Sequence, residues 1–121
     1  MTFDAFADAH QVSTRLFAAV RAEIAALGGV DIRVTKSQVV FRRRGGAPFA
    51  WLPNMYLRKG GVPLLLTLEL RRRDDSPRWT RVVEAGRGRF THHFELYAES
   101  DLDEEVRAWL REAWEEAADA T

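Results

Sequence analysis

Arginines and aromatic rings are the side chains here whose type and spacing could do chemistry. Arg33, Lys36, Arg42, Arg43, Arg44, Arg71, Arg72, Arg73, Arg78, Arg81, Arg87 and Arg89 are interleaved with Trp51, Tyr56, Trp79 and Tyr97. A guanidinium beside an aromatic ring can hold a planar anion or stack on a nucleobase. The charge is concentrated: residues 33–89 carry 14 Lys/Arg against 4 Asp/Glu, and the rest of the 121-residue chain carries 4 against 14. A +10 middle therefore lies between flanks that sum to −10, although the net charge is zero. Clustered positive charge raises the local concentration of phosphates and carboxylates. Two other causes compete with a ligand. The acidic flanks can neutralise the middle within the fold, and 16 of the 18 basic residues are Arg, which with the many Ala fits the codon bias of a GC-rich bacterium.

The histidine pair His92-His93 is the next candidate. Neighbouring residues on a strand point to opposite faces, so the two imidazoles cannot chelate one metal in regular geometry; one faces the core and the other is left free. His93 and Glu95 share a face at i, i+2 and could supply two metal ligands or an acid/base pair, but no spacing announces a third ligand. Catalytic zinc needs three protein ligands and structural zinc four.

Other chemistries lack their residues. The chain has no cysteine, which removes disulfides, thiolate nucleophiles and cysteine-ligated zinc or iron–sulfur centres. Gly45-Gly46, Gly60-Gly61 and Gly86-Arg87-Gly88 fit turns, and none has the Lys-Ser/Thr that completes a P-loop. There is no Gly-x-Ser-x-Gly and no carboxylate pair in apolar surroundings. The expectation is a chain that is not an enzyme by itself and takes no cofactor. The acidic N-terminus and the lack of a long apolar run predict no membrane association and a cytoplasmic location.

The elements that must position these residues are legible from periodicity. Val30, Ile32 and Val34 alternate with Asp31, Arg33 and Thr35; Thr35-Lys36-Ser37 turns; and Val39 and Phe41 lie opposite Val40 and Arg42 on a return strand. Phe3, Phe6, His10, Ser13, Phe17, Val20, Ile24 and Leu27 recur at helical spacing before Gly28-Gly29, which predicts a helix over about 3–27. A third strand is expected over 49–58, with Phe49, Trp51, Met55 and Leu57 on one side and a bulge or bend at Pro53-Asn54. Residues 62–72 alternate as the central strand, and 90–97 form the last. Residues 78–84 read equally as one or two helical turns or an edge strand, since Ser76-Pro77 can open a helix. Ser100 to Glu104 caps a second amphipathic helix over about 101–118, lined by Leu102, Val106, Trp109, Leu110, Ala113 and Ala117.

The order predicts a single α+β domain over residues 1–121. It is a two-layer sandwich in which an antiparallel five-stranded meander-type sheet carries both helices on one face and leaves the other open. Its core is expected from Phe17, Val20, Ile24, Val34, Phe41, Leu66, Leu68, Phe94, Val106, Trp109 and Leu110.

Thr35-Lys36-Ser37, Phe41-Arg42-Arg43-Arg44, Phe49-Ala50-Trp51-Leu52-Pro53, His92-His93 and the run Asp101 to Leu110 together resemble a bacterial family described only as a domain of unknown function, from about Gly28 to Trp114. That resemblance implies a cytoplasmic bacterial domain, stand-alone or fused, sometimes near restriction or nucleic-acid proteins, and brings no catalytic residues. The layout is more loosely similar to small YjbR-like proteins, whose fold has been compared with DNA-binding domains.

The leading expectation is a binding module whose site draws on Lys36, Arg42, Arg43, Arg44, Trp51, Arg71, Arg72, Arg73, Trp79 and His93. Its partner would be nucleic acid or a small anionic ligand. The second and fourth strands end on the same side of the sheet, so their arginines should converge, and Glu69 and Glu95 are too few to neutralise them. The alternatives are a homodimer that pairs edge strands or packs the open face, and an enzyme or metal protein built on His93 and Glu95.

Overall fold

The alternation in Leu64–Leu70 sets the architecture. Leu64, Leu66, Leu68 and Leu70 are buried while Leu65, Thr67 and Glu69 are half-buried, so this strand separates an apolar face from a mixed one. The computed structural model describes residues 3–53 and 64–118, with side chains from Thr14 onward. Its order is α1 (Phe3–Ala25), β1 (Val30–Val34), β2 (Gln38–Arg43), β3 (Pro48–Pro53), β4 (Leu64–Leu70), β5 (Arg81–Gly86), β6 (Arg89–Leu96), a 3-10 turn at Glu99–Asp101, and α2 (Glu104–Glu116). The protein is α+β, and its described residues form two α-helices and one open antiparallel sheet of order β1-β2-β3-β4-β6-β5.

The sheet has six strands where five were expected. The ambiguous stretch resolves into β5, an edge strand that pairs with β6 through a turn at Gly88, whose φ is +72°. It escapes the eye because an edge strand with half-buried Val82 and Val83 side by side shows no alternation. The long strand β4 lies between β3 and β6 at the centre, as its apolar alternation requires.

One hydrophobic cluster joins Leu16, Val20 and Ile24 of α1 and Val106, Trp109, Leu110 and Ala113 of α2 to Val39, Phe41, Leu52, Leu66, Leu68, Phe94 and Leu96 of the sheet. Three details differ from the sequence reading. The α1 stripe runs through Leu16, with Phe17 only half-buried. Val34 is 68% exposed, at the end of the edge strand β1. Phe49 and Trp51 part company: a bulge leaves Phe49 unpaired beside Ala50, both are buried, and Trp51 is half-buried on the other face. The expected side chains Phe3, Phe6, His10 and Ser13, and the continuation of β3 through Met55 and Leu57, lie outside the described residues.

The cap of α2 is Asp103, within the Ser100 to Glu104 stretch expected to supply it, and its carboxylate accepts from the N–H of Val106 at 3.1 Å. At the other end, α2 meets the β2–β3 turn closely. Ala47 N–H donates to the carbonyl of Ala117 at 2.8 Å, and a Cβ on Gly46 would collide with that oxygen. Only glycine fits there.

Candidate functional site

Directly opposed residues of an antiparallel pair share a face. The register gives one row across all six strands: Arg33 opposite Val40, Val40 opposite Trp51, Trp51 opposite Thr67, Thr67 opposite His93, and His93 opposite Arg81. This row lies on the face away from Phe41, Leu68 and His92, which are buried. It presents a half-buried indole, a hydroxyl, an imidazole and two terminal guanidinium groups. Neither Arg33 nor Arg81 forms an ion pair among the described residues.

His93 is held in place by Thr67, Oγ1 and Nδ1 being 2.9 Å apart. Burial, and then the positive charge of Arg81, push its pKa below the ordinary value, so near neutral pH it presents an uncharged ring. Glu95 accepts a 2.7 Å hydrogen bond from the hydroxyl of exposed Tyr97, and that bond above all raises the phenol's pKa. With His93 engaged by Thr67 and Glu95 by Tyr97, each member of the candidate acid/base pair has a different partner. Among the described residues no three His, Asp or Glu side chains are grouped to hold a metal.

His92 points the other way. It is fully buried, Nδ1–H donates to the carbonyl of Phe90 at 3.1 Å, and Nε2 accepts from the N–H of Asp74 at 3.0 Å. Trp79 lies beside it in the core and does not offer a stacking surface. It is 8% exposed, its ring sits 4.1 Å from that of Trp109 and 4.8 Å from His92, and Nε1–H donates to Asp74 at 2.8 Å.

The arginines separate into paired and unpaired. β2 and β4 run parallel with β3 between them, so Arg42–Arg44 and Arg71–Arg73 do come to one end of the sheet, where the C-terminal turn of α2 meets them. Arg43 donates to the carbonyl of Trp114 at 3.0 Å and lies 3.6 Å over its ring. Arg71 donates to the carbonyl of Glu116 at 2.9 Å. Arg72 grips both oxygens of Glu112 at 2.7 and 3.0 Å and reaches Asp74 at 2.7 Å. These bonds, Glu112 first, hold its guanidinium above its ordinary pKa. The helix end leaves carbonyls without intrahelical partners and carries partial negative charge, which is where cations belong.

The remaining positions are scattered. Arg44 pairs with Asp31 at 3.1 Å, Arg42 donates to the carbonyl of Gly46 at 2.8 Å, and Arg73 lies 5.4 Å from the ring of Phe90. Lys36 is exposed in the β1–β2 turn, near the end opposite Arg42–Arg44. Of the ten candidate residues, the row from Arg33 to Arg81 contains Trp51 and His93.

Two residues have structural roles that the sequence did not announce, Asp74 and Arg78, the latter counted above only as one of the basic cluster. Arg78 is bound by Asp103 at 2.9 Å and Glu105 at 2.8 Å and lies over Phe94. Asp74 collects Trp79, Ser76, Arg72 and His92 into one loop. Burial alone would raise its carboxyl pKa, and the donors from Trp79, Ser76 and Arg72 outweigh that and hold it below the usual range. The visible signal for Asp74 was the Asp-x-Ser loop pattern.

No curated protein and no solved structure matches the chain. A family model does, over residues 3–117, and the chain belongs to that family, described as a domain of unknown function (DUF5655).

Proposed function

We propose that this chain is a non-catalytic binding module that takes an anionic, planar ligand on the open face of its sheet, with single-stranded nucleic acid as the class that fits best. The observation that carries the reading is the row Trp51–Thr67–His93–Arg81, in which an indole, two hydrogen-bonding groups and a guanidinium without an ion pair among the described residues follow one another across adjacent strands. Neighbouring strands are about 4.8 Å apart, so the row from Trp51 to Arg81 spans about 14 Å, the reach of two or three nucleotides. Single strands favour such a surface because bases stack on an aromatic ring without regard to sequence while cations follow the backbone.

The reading takes the chain as one two-layer domain of the bacterial cytoplasm, with both helices on the Phe41–Leu68 face. The single cluster uniting α1, α2 and that face supports the layering. No helix among the described residues is long and apolar enough to cross a membrane. The arginine cluster at the end of α2 contributes little to binding, since Arg43, Arg71 and Arg72 are engaged by the helix.

Titration with random single- and double-stranded oligonucleotides at two salt concentrations tests this. Single strands should bind more tightly, with Trp51→Ala weakening them about tenfold, within the 1–3 kcal/mol that stacking contributes per base. Arg81→Ala should lower the salt slope by about 0.7. Absence of binding at low salt removes nucleic acid, salt-insensitive binding redirects the search to a small ligand, and wild-type affinity in both variants removes this face as the site.

A further inference from the structure

The two edges of the sheet are built differently. β5 carries a register shift between Glu84 and Gly86, a common way of blunting an edge against further pairing. β1 has no such protection: its register with β2 is regular from Val30 to Val34, it contains no proline, and Ile32 and Val34 are 40% and 68% exposed.

Its backbone parity can be read from flanking bonds. Thr35 N–H donates to the carbonyl of Gln38 and Arg44 N–H to the carbonyl of Gly29, at 2.8 and 3.0 Å. Antiparallel ladders alternate, so residues 29, 31, 33 and 35 spend their polar groups on β2. Val30, Ile32 and Val34 turn theirs outward, and no described strand meets them.

The sequence of this edge, Val-Asp-Ile-Arg-Val, reads as its own complement when reversed. If Ile32 lies opposite Ile32 of a second chain, Val30 faces the partner's Val34 and Asp31 faces the partner's Arg33. The three apolar positions are those with outward polar groups, so all three pairs would be hydrogen-bonded. Both charged pairs then fall at the non-hydrogen-bonded positions, where side chains approach most closely. Any other register in this strand breaks one of these matches. A one-residue slip would also turn its apolar side chains to the wrong face.

We propose that β1 is a homodimerisation edge, pairing antiparallel with β1 of a second copy across a two-fold axis at Ile32 so that one sheet runs through both chains. The surroundings suit that occupant. On the core side of β1 a cavity of about 300 Å³ is lined by Ile24, Val30, Ile32 and Phe41, and accepts the partner's Ile32 and Val34. On the other side a cleft of about 530 Å³ includes Asp31 and Arg33, where the charged pairs close. Arg33, without an ion pair among the described residues, gains one, and the exposed Ile32 and Val34 are covered. The contact is isologous and closes at two copies. This inference is independent of the ligand proposed above.

Sedimentation of the full chain across a concentration series should show the mass rising from 13.8 kDa toward twice that value. Arg33→Asp places two acids on the edge and Asp31→Arg places two bases, so each variant alone should stay monomeric. An equimolar mixture of the two should form a heterodimer, since every charge then meets its opposite. Near-UV circular dichroism checks that each variant is folded. Should Asp31→Arg fail to fold, Ile32→Cys replaces it: the chain has no other cysteine, and opposed residues of a hydrogen-bonded pair lie about 5.5 Å apart, within disulfide reach. Oxidation should then give a covalent dimer, and Thr80→Cys should not. A wild-type chain that is monomeric at every concentration overturns the proposal. So does a dimer that survives Arg33→Asp.

Discussion

The backbone N–H of Asp74 donates to Nε2 of His92 at 3.0 Å, which fixes a buried, uncharged imidazole between a loop and the core. Its other nitrogen donates to the carbonyl of Phe90, so a second proton would leave Nε2 facing a donor. Burial, the largest influence, pushes the His92 pKa below its ordinary value, and His93 shifts the same way.

The sign of the resulting pH dependence follows. As pH falls through about 6.5 the unfolded chain takes up protons that the folded chain refuses, so stability declines with acidification and levels off only below the folded-state values. The urea midpoint should fall between about pH 7.5 and 5.5, with a slope of at most about 1.4 kcal/mol per pH unit for each histidine. His92→Gln, which can offer an oxygen to Asp74 and an N–H to Phe90 without titrating, should reduce that slope. A wild-type midpoint independent of pH in this window would refute the buried neutral state. The depressed carboxyl of Asp74 acts separately: its contribution is lost only as pH falls below the usual carboxylate range.

A second prediction concerns the seat of α2. Gly46→Ala puts a methyl group against the carbonyl of Ala117, which already accepts from Ala47. Backbone meets backbone there, so the helix end must move, loosening Arg43 from Trp114 and Arg71 from Glu116. The expected loss is about 1–3 kcal/mol, the usual cost of overpacking, measured by chemical denaturation. Gly45→Ala provides the contrast: its φ of +76° costs conformational energy, but nothing lies within 4 Å of the added carbon. If Gly46→Ala costs no more than Gly45→Ala, the close approach is not as described.

The sheet and α2 were legible because burial imposes a period: Leu64–Leu70 at two, and Val106, Trp109, Leu110 and Ala113 at helical spacing. β5 was not, since its half-buried edge has no period to show. The site was less legible for a different reason. An arginine that binds a ligand and one that seats a helix have the same sequence signature, and Arg72 finds Glu112 forty positions away. Trp79 among arginines suggested stacking, yet its partners Trp109 and His92 are fixed only by the fold. The opposite facing of His92 and His93, by contrast, follows from strand geometry alone.

The third prediction separates those structural groups from the open face. Arg72 is half exposed, so its paired bonds to Glu112 are screened, and Arg72→Ala should cost no more than about 1 kcal/mol. A double-mutant cycle with Glu112→Gln should recover a coupling of about 0.5 kcal/mol or more that shrinks with added salt. Trp79→Phe removes the Nε1–H that Asp74 accepts and part of the ring packed on Trp109, and should cost about 2 kcal/mol or more. Neither change alters the row on the opposite face. In oligonucleotide titrations below their unfolding transitions, both variants should therefore bind within about twofold of wild type, whereas Trp51→Ala, titrated below its own transition, loses about tenfold. The intrinsic fluorescence gives an independent reading: quenching on binding should persist in Trp79→Phe and disappear in Trp51→Ala. A ligand whose affinity follows Arg72 and Trp79 in place of Trp51 and Arg81 would move the site from the open face to the end of the sheet that α2 covers.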